Sequence, residues 1–396
     1  MAALEIVDKD PGSRGRAGVL HLAHGDVRTP AFVPLATKGT IKTLTPADVE
    51  ALGYDMVLGN TFHLFVDPGH ELVRHFGGLH RFMRWERPII TDSGGFQVFS
   101  MGHGTVADEV KGRAPQGAER RGRIVAIEER GVRFRSYLDG SELFMGPETS
   151  MEVQAALGSD IALAFDECTP FHVSREYTAK SAERTHRWLR RCREWREANG
   201  PEGQLLYGIV QGGVHEDLRR ESAQFVAAAG CDGIAVGGSL GKEKAQIYEV
   251  ASWAVDELDE APPRHLLGIG DVDDLIHGVA LGMDTFDCAM PTRLGRHGVA
   301  VVPDPEARWR VDLTASRWRE SDDPIMEDCP CQACTGGFSR GYLRYLLKQR
   351  EQTALRLVTI HNLTFVARLM DRLRAAIGAG TLADQSRALL AGASPY

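Results

Sequence analysis

Eight short apolar runs between residues 31 and 291 constrain this chain more than any other feature. They read AFVPLAT (31–37), DMVLGNT (55–61), PIITDSG (88–94), IALAFDE (161–167), LLYGIVQGG (205–213), GIAVGGS (233–239), HLLGIGD (265–271) and TFDCAMP (285–291). Runs that are apolar on both faces suit buried parallel strands. Helical patterns lie between them, such as TPADVEALG (45–53), HEDLRRESAQFVAAAG (215–230) and KEKAQIYEVASWAVDEL (242–258). The first of these opens with Thr45-Pro46, a cap residue followed by proline at the first helical position. Eight strand-helix alternations predict an α/β fold, a closed (β/α)₈ TIM barrel, with an open doubly wound sheet as the alternative.

Many of the runs end in polar or glycine residues: Asp92, Asp166, Gln211, Gly237-Gly238, Gly270-Asp271 and Asp287. In a barrel these endings converge on the rim that carries active sites, so they describe a pocket. The interval from Met101 to Gly146 is too long for a simple barrel connection. Residues 123–145 alternate in the β manner around Arg130-Gly131 and Asp139-Gly140, which predicts a β-hairpin insertion at about 102–147. The polar stretch 107–123 has no periodicity and is expected to be mobile. From about Asp304 the barrel pattern gives way to helices. The expected organisation is a catalytic barrel over 1–303 and a metal-bearing, mostly helical C-terminal subdomain over 304–396, packed on the barrel.

Three of the seven cysteines crowd into Cys329-x-Cys331-x-x-Cys334, and His361-Asn362 follows the amphipathic run LRLVTI. Three thiolates and an imidazole are a tetrahedral set suited to zinc, and four filled positions leave no room for a reactive water. One structural Zn²⁺ per subunit is therefore expected. The alternatives are reduced thiols without metal, and a His361 that is merely packed.

The net charge of −8 argues against nonspecific nucleic-acid binding by the whole surface, but leaves room for a local basic face. Residues 340–374 hold eight Lys/Arg (340, 344, 348, 350, 356, 368, 372, 374) against Glu351 and Asp371, a balance of +6, and a second excess lies on 180–197. Such stretches are either solvated helix faces or docking surfaces. No apolar run approaches bilayer length, and the start MAALEIVDKD lacks the features of a signal peptide, so a cytoplasmic protein with no membrane partner is expected.

With TDSGGFQ (91–97), FDECTP (165–170), GIVQGG (208–213), AVGGS (235–239), FDCAMPTRLGR (286–296) and CPCQAC…HN (329–362) in family order, the chain resembles the bacterial-type tRNA-guanine transglycosylases. The likeness runs from about Gly18 to Arg374. It implies a pentosyltransferase of queuosine biosynthesis. Such an enzyme exchanges guanine at wobble position 34 of tRNAs with GUN anticodons (Asp, Asn, His, Tyr) for a 7-deazaguanine, preQ1 or queuine, through a covalent Asp–ribose intermediate. By position it implies Asp287 as nucleophile and Asp92 as general acid/base. The substrate-binding set it implies is Asp92, Ser93, Gly94, Gly95, Phe96, Asp166, Gln211 and Gly238, with Phe96 stacking on the base. RNA contacts would come from Gly268, Ile269, Gly270, Asp271, Val272, Asp273 and Asp274, and from Thr292, Arg293, Leu294, Gly295 and Arg296. It also implies Cys329, Cys331, Cys334 and His361 as ligands of one structural Zn²⁺, the tRNA anticodon arm and the free bases as partners, and a homodimer.

The chemistry asks for these residue types independently. Exchanging a base with retention at C1′ is most easily done by two displacements, which need a carboxylate nucleophile and a proton shuttle. Guanine's edge offers N1–H and the 2-amino group to a carboxylate at Asp166, and O6 to a donor at Gln211 or Gly238. Arginines beside the nucleophile can neutralise the phosphates flanking an extruded nucleotide. Taken singly, Asp92 before Ser-Gly-Gly could be a turn residue, Asp166-Glu167 a helix cap, Gly237-Gly238 a tight turn, and Cys168 and Cys288 pocket walls. The rival enzyme class is a two-carboxylate or metal-assisted barrel hydrolase of nucleosides or glycosides, and the non-catalytic rival is an RNA-binding subunit. An archaeal-type enzyme would need a further RNA-binding domain, and the chain ends at Tyr396. After AVGGS the segment Ser239-Leu240-Gly241-Lys242-Glu243 departs from the usual family continuation, which leaves the choice among preQ1, its nitrile precursor and queuine open.

Overall fold

The computed structural model describes residues 3–103 and 124–396, so the stretch 107–123 lies outside the described residues. Each of the eight runs forms a strand: β1 Ala31–Ala36, β2 Val57–Gly59, β3 Ile89–Thr91, β4 Ile161–Leu163, β5 Leu205–Val210, β6 Gly233–Val236, β7 Arg264–Leu266 and β8 Thr285–Cys288. Each pairs in parallel with the next, and β8 pairs back onto β1, so the sheet closes and the open-sheet alternative is excluded. The strands are apolar on both faces because one face lines the barrel and the other meets the surrounding helices. The first of those helices, Pro46–Ala51, begins at Thr45, which forms a capping box with Asp48.

Inside the barrel, Val33, Leu58, Ile90, Leu163, Ile209 and Ala235 form one buried cluster, joined by Leu4, Leu20 and Val27. The last three come from an antiparallel sheet of Leu4–Lys9, Arg16–Leu22 and Gly25–Thr29 that precedes the barrel. This sheet is an element the sequence reading did not contain. It is tied to the barrel by a buried ion pair. The Arg16 guanidinium grips Asp284 with Nε at 2.8 Å and Nη2 at 2.6 Å, and Asp284 also accepts the Arg264 N–H at 2.7 Å. The Arg16 and Asp284 side chains are 4% and 0% exposed, so solvent does little to screen the pair. Asp284 stands one residue before β8, and its own carbonyl accepts the Ala31 N–H that starts β1.

The insertion carries turns at the expected places but holds three antiparallel strands, Ile124–Glu128, Gly131–Arg135 and Glu142–Met145. Gly131 is required at the first turn: its φ is 150° and a Cβ would lie 2.5 Å from the Met145 carbonyl oxygen.

Beyond β8 comes the helix Met290–Arg296, then strands Val299–Val301 and Arg310–Asp312, which pair with each other. A division after 303 therefore falls in the loop joining two paired strands. The long helix Gln352–Gly378 is buried around most of its surface, as a helix enclosed on several sides must be. It meets Met290–Arg296 so closely that a Cβ on Gly295 would lie 2.8 Å from Thr359 Cα. The Asn362 amide donates to the Pro291 and Val299 carbonyls at 2.9 and 3.0 Å and accepts the Val301 N–H at 2.8 Å. One apolar core thus runs from the barrel helices into the tail.

Asp284→Ala leaves Arg16 buried without its counter-charge and is expected to cost about 3–5 kcal/mol of stability. Arg16→Met combined with Asp284→Leu should recover most of that loss. An unfolding midpoint that Asp284→Ala does not lower would show that the pair does not hold the sheet.

Candidate active site

The strand ends surround a cleft of about 350 Å³ lined by Asp92, Phe96, Asp166, Gly238, Asp287 and Arg293 among others. That volume lies in the range of small-molecule sites. Asp287 is third in β8, two residues after Thr285, so alternation puts both side chains on one face. His265 of β7 is the register partner of Thr285. Its imidazole Nδ1 lies 2.8 Å from Thr285 Oγ1 and its Nε2 3.1 Å from Asp287 Oδ1. With the hydroxyl donating to Nδ1, Nε2 carries the proton and donates to the carboxylate. The Gly268 N–H gives Oδ1 a second bond at 3.0 Å. Oδ2 takes no hydrogen bond among the described residues. Nothing in the sequence reading singled out His265 or Thr285; the strand register is what reveals them.

Asp92 follows β3 directly. Its carboxylate accepts the Thr61 N–H at 2.8 Å and the Gln97 amide at 3.0 Å, and the Asn60 amide as well. These partners too were not foreseen. Burial pushes its pKa up to about 7, the charge of Asp287 adds to the rise, and the hydrogen bonds from Thr61 and Gln97 oppose it. The cleft therefore holds two carboxyl groups with different environments: one raised to near neutrality, the other held on one oxygen by a histidine and a backbone amide.

At the other end of the cleft Asp166 accepts the Ser93 hydroxyl at 2.7 Å and the Gln211 amide at 2.6 Å. Burial pushes its pKa up to about 6. Asp166-Glu167 caps no helix, since the next one starts at Arg175 with Ser174 as its cap. Gly94 and Gly95 turn the chain after β3. A Cβ on Gly95 would meet the Asp166 carbonyl oxygen at 2.3 Å, which brings Ser93 close to that acid. Phe96 is 37% exposed at the cleft, and Cys168 and Leu240 are walls. Burial and the neighbouring Asp166 hold the Cys168 thiol far above its ordinary pKa, so it is neutral.

On the rim, the helix Met290–Arg296 exposes Arg293, half-exposes Leu294 and Arg296, and turns Thr292 and Gly295 inward. Neither arginine enters an ion pair among the described residues, and burial and the charge of Arg293 lower the pKa of Arg296. Two unneutralised guanidinium groups together suit an anion. Of 268–274, Gly268 and Ile269 line the cleft and Gly270 packs under Cys288, where a Cβ would meet Cys288 Cβ at 2.5 Å. Val272 is buried. Asp271, Asp273 and Asp274 gather around Lys244 at 3.1, 3.0 and 2.6 Å, and Asp271 also meets Arg310 at 2.7 Å.

The two basic stretches are largely consumed by internal contacts. Arg340, Arg344 and Arg374 bond backbone carbonyls, Arg356 meets Asp48, Arg368 meets Asp371, and Arg372 meets Gln385. On 180–197, partners include Glu176, Glu167, Glu129, Glu148 and Asp232.

The tail gathers Cys329, Cys331, Cys334 and His361 into a cluster that could hold a metal ion. The three sulfurs lie 3.5, 3.6 and 3.4 Å from His361 Nδ1. A tetrahedral ion with bonds of ~2.3 Å to sulfur and ~2.1 Å to nitrogen would separate S and N by roughly 3.6 Å. His361 Nε2 donates to the Val301 carbonyl at 2.9 Å, which leaves the Nδ1 lone pair for the ion. The Tyr396 hydroxyl donates to Cys329 Sγ at 3.1 Å. The donor set and its spacing fit a closed structural site. One metal ion per chain is expected by elemental analysis, with loss of the ion and a lowered unfolding midpoint in Cys331→Ala; full metal content in that variant would contradict the assignment.

A family model described as "Queuine tRNA-ribosyltransferase" matches residues 10–394. Among curated proteins, a queuine tRNA-ribosyltransferase of Roseiflexus sp. (strain RS-1) is 47% identical over 390 residues, covering 96% of this chain and 97% of that protein. One from Pelotomaculum thermopropionicum is 46% identical over 378 residues, covering 95% of each. One from Psychrobacter cryohalolentis is 43% identical over 367 residues, covering 92% of this chain and 90% of that protein. With the family model matched over nearly its whole length and relatives this close, the chain belongs to the queuine tRNA-ribosyltransferase family.

Proposed function

We propose that this chain is a tRNA-guanine transglycosylase that replaces guanine at wobble position 34 of tRNAs with GUN anticodons by a 7-deazaguanine, through a double displacement on Asp287. The observation that carries this reading is one cleft lined by Asp92, Asp287 and Asp166, the last bonded to the buried Gln211 amide behind it. Asp166 accepts guanine N1–H and the 2-amino group, Gln211 and Gly238 offer donors to O6, and Phe96 stacks on the base. Adenine, with no N1–H and no 2-amino group, would give Asp166 no donor beyond Ser93 and Gln211, and so forfeits the two hydrogen bonds that guanine supplies.

In the first half-reaction Asp287 Oδ2 attacks C1′ while the C1′–N9 bond breaks and protonated Asp92 delivers its proton to the departing guanine. In the second half, Asp92, now ionised, takes the N9 proton of the incoming deazaguanine. N9 attacks C1′ and the Asp287 ester bond breaks. Two inversions give retention. His265 and the Gly268 N–H hold Oδ1, so Oδ2 stays aimed and the carboxylate is stabilised as a leaving group. A pKa near 7 lets Asp92 serve as acid and then as base.

Arg293 and Arg296 take the phosphates flanking the extruded nucleotide, with Gly268 and Ile269 beside them at the cleft mouth. Thr292, Leu294 and Gly295 serve by building the helix that carries the arginines, and the acidic part of 268–274, neutralised by Lys244 and Arg310, shapes the loop. The metal is one structural Zn²⁺ per subunit. The tail, 304–396, is in this reading a subdomain whose metal fixes His361 and through it the long helix under the rim. Tyr342, stacked on Phe338, and Tyr345 are 48% and 57% exposed, aromatic surface suited to a second copy of this chain in a cytoplasmic homodimer.

Wild-type protein should incorporate radiolabelled guanine into unmodified tRNA of this class. In a single turnover the release of guanine should decline as pH rises through about 7, because the acid form of Asp92 is lost there. Failure to incorporate guanine, or a release rate flat from pH 6 to pH 8, would contradict the proposal.

A further inference from the structure

Arg219 is a fully buried arginine on the helix Glu216–Ala228, and the chemistry above makes no use of it. Its four bonds all go to backbone carbonyls at the ends of β5 and β6. Nη1 donates to Val210 at 3.0 Å and Gly237 at 2.7 Å, and Nη2 to Gly213 at 2.6 Å and Ser239 at 3.3 Å. Its Nε is without a partner, and it enters no ion pair among the described residues. Burial pulls its pKa down to about 9, so the cation is costly where it stands. A cation kept in such a place, with only neutral acceptors, calls for a reason beyond packing.

The acceptors supply one. The strand ends it joins carry Gln211 and Gly238. The 237–238 peptide is trans, so its C=O and N–H point in opposite directions. With the carbonyl drawn back onto Arg219, the Gly238 N–H is turned the other way, toward the Cys168 sulfur on the cleft wall. Gly238 itself has φ +77°, and a Cβ there would meet Gln211 Oε1 at 2.3 Å, so the peptide and the Gln211 side chain are fitted to each other. The same helix face adds Ser222, one turn on, whose Oγ accepts the Gln211 N–H at 3.0 Å. The positive charge behind the carbonyl also polarises the peptide and strengthens the N–H as a donor.

We infer that Arg219 is a positioning residue for base specificity: by holding the Gly237 carbonyl it aims the Gly238 N–H at the 6-oxo group of the bound purine. This rests on the reading of the cleft as the purine pocket. Lysine cannot replace it, because one ammonium point cannot span four carbonyls as the planar fork does.

The test compares guanine with 6-thioguanine, which keeps N1–H and the 2-amino group but offers a weaker acceptor at position 6. Dissociation constants for both bases are measured on the full-length wild type and on Arg219→Lys, with tRNA affinity alongside. Wild type should prefer guanine, and Arg219→Lys should reduce that preference roughly tenfold, the worth of about one hydrogen bond in a buried site, with tRNA affinity within about twofold of wild type. An equal loss for both bases, or an unchanged preference in folded Arg219→Lys, overturns the inference. A wild type with no preference for guanine over 6-thioguanine also overturns it, and should Arg219→Lys fail to fold, Arg219→Gln is read by the same comparison with the same outcomes. Asp166→Asn separates the two levels. If it binds guanine as wild type does, the purine-pocket reading itself is wrong; if it loses guanine while Arg219→Lys keeps the full preference, only the Arg219 assignment falls.

Discussion

The cleft depends on the parallel pairing of β7 with β8 and of β8 with β1. That pairing sets Asp287 opposite Val33 and places Thr285 opposite His265. Because side chains alternate along a strand, the register that puts Thr285 against His265 also delivers Asp287 to the same imidazole two residues later. A shift by one residue would turn Asp287 into the helical layer, where a carboxylate has no partner. The register is held from the strand starts by Asp284, which joins β8 to the N-terminal sheet through Arg16, to β7 through the Arg264 N–H and to β1 through the Ala31 N–H. The polar anchor at one end of β8 therefore determines the geometry of the Asp287 carboxylate at the other.

Burial then differentiates the acids that the barrel gathers. Asp92 and Asp166 are both pushed upward by loss of water and both opposed by hydrogen bonds, from Thr61 and Gln97 in one case and Ser93 and Gln211 in the other, with Asp287 adding to the rise of Asp92 and Glu167 to that of Asp166. Asp166 remains mostly ionised at neutral pH and can receive donors from a base; Asp92 sits where a proton can be given and taken. Neither behaviour needs a metal. The Cys₃His cluster acts at a distance, by fixing the helix on which Asn362 bonds the carbonyls on either side of the arginine-bearing turn.

Much of this was legible in the sequence because the signals are local. Strands buried on both faces leave unbroken apolar runs, their polar endings mark the rim, and CxCxxC sets three thiols of the candidate metal cluster within six residues. The N-terminal sheet was not legible, since Leu4–Lys9 presents mainly exposed residues with one fully buried at its start and reads like a loop. The internal partners of the basic stretch at 340–374 were not legible for a related reason. Charge counted along a sequence cannot see that Arg356 will meet Asp48, or that Arg374 will reach the Pro30 carbonyl. His265 and Arg219 belong to the same class: a histidine at a strand start and an arginine in a helix acquire meaning only from neighbouring strands distant in sequence.

In the proposed reaction Asp287 bonds to the ribose while the guanine is away. The most direct measurement is peptide mass mapping of protein denatured in mid-turnover with an unmodified anticodon stem-loop and then treated with ribonuclease. The mass expected on the peptide containing Asp287 is that of a ribonuclease fragment whose ribose at position 34 has lost its base, absent when Asp287→Asn replaces the wild type. That base-free fragment on Asp92 instead, or turnover with no modified peptide at all, would contradict the proposed reaction.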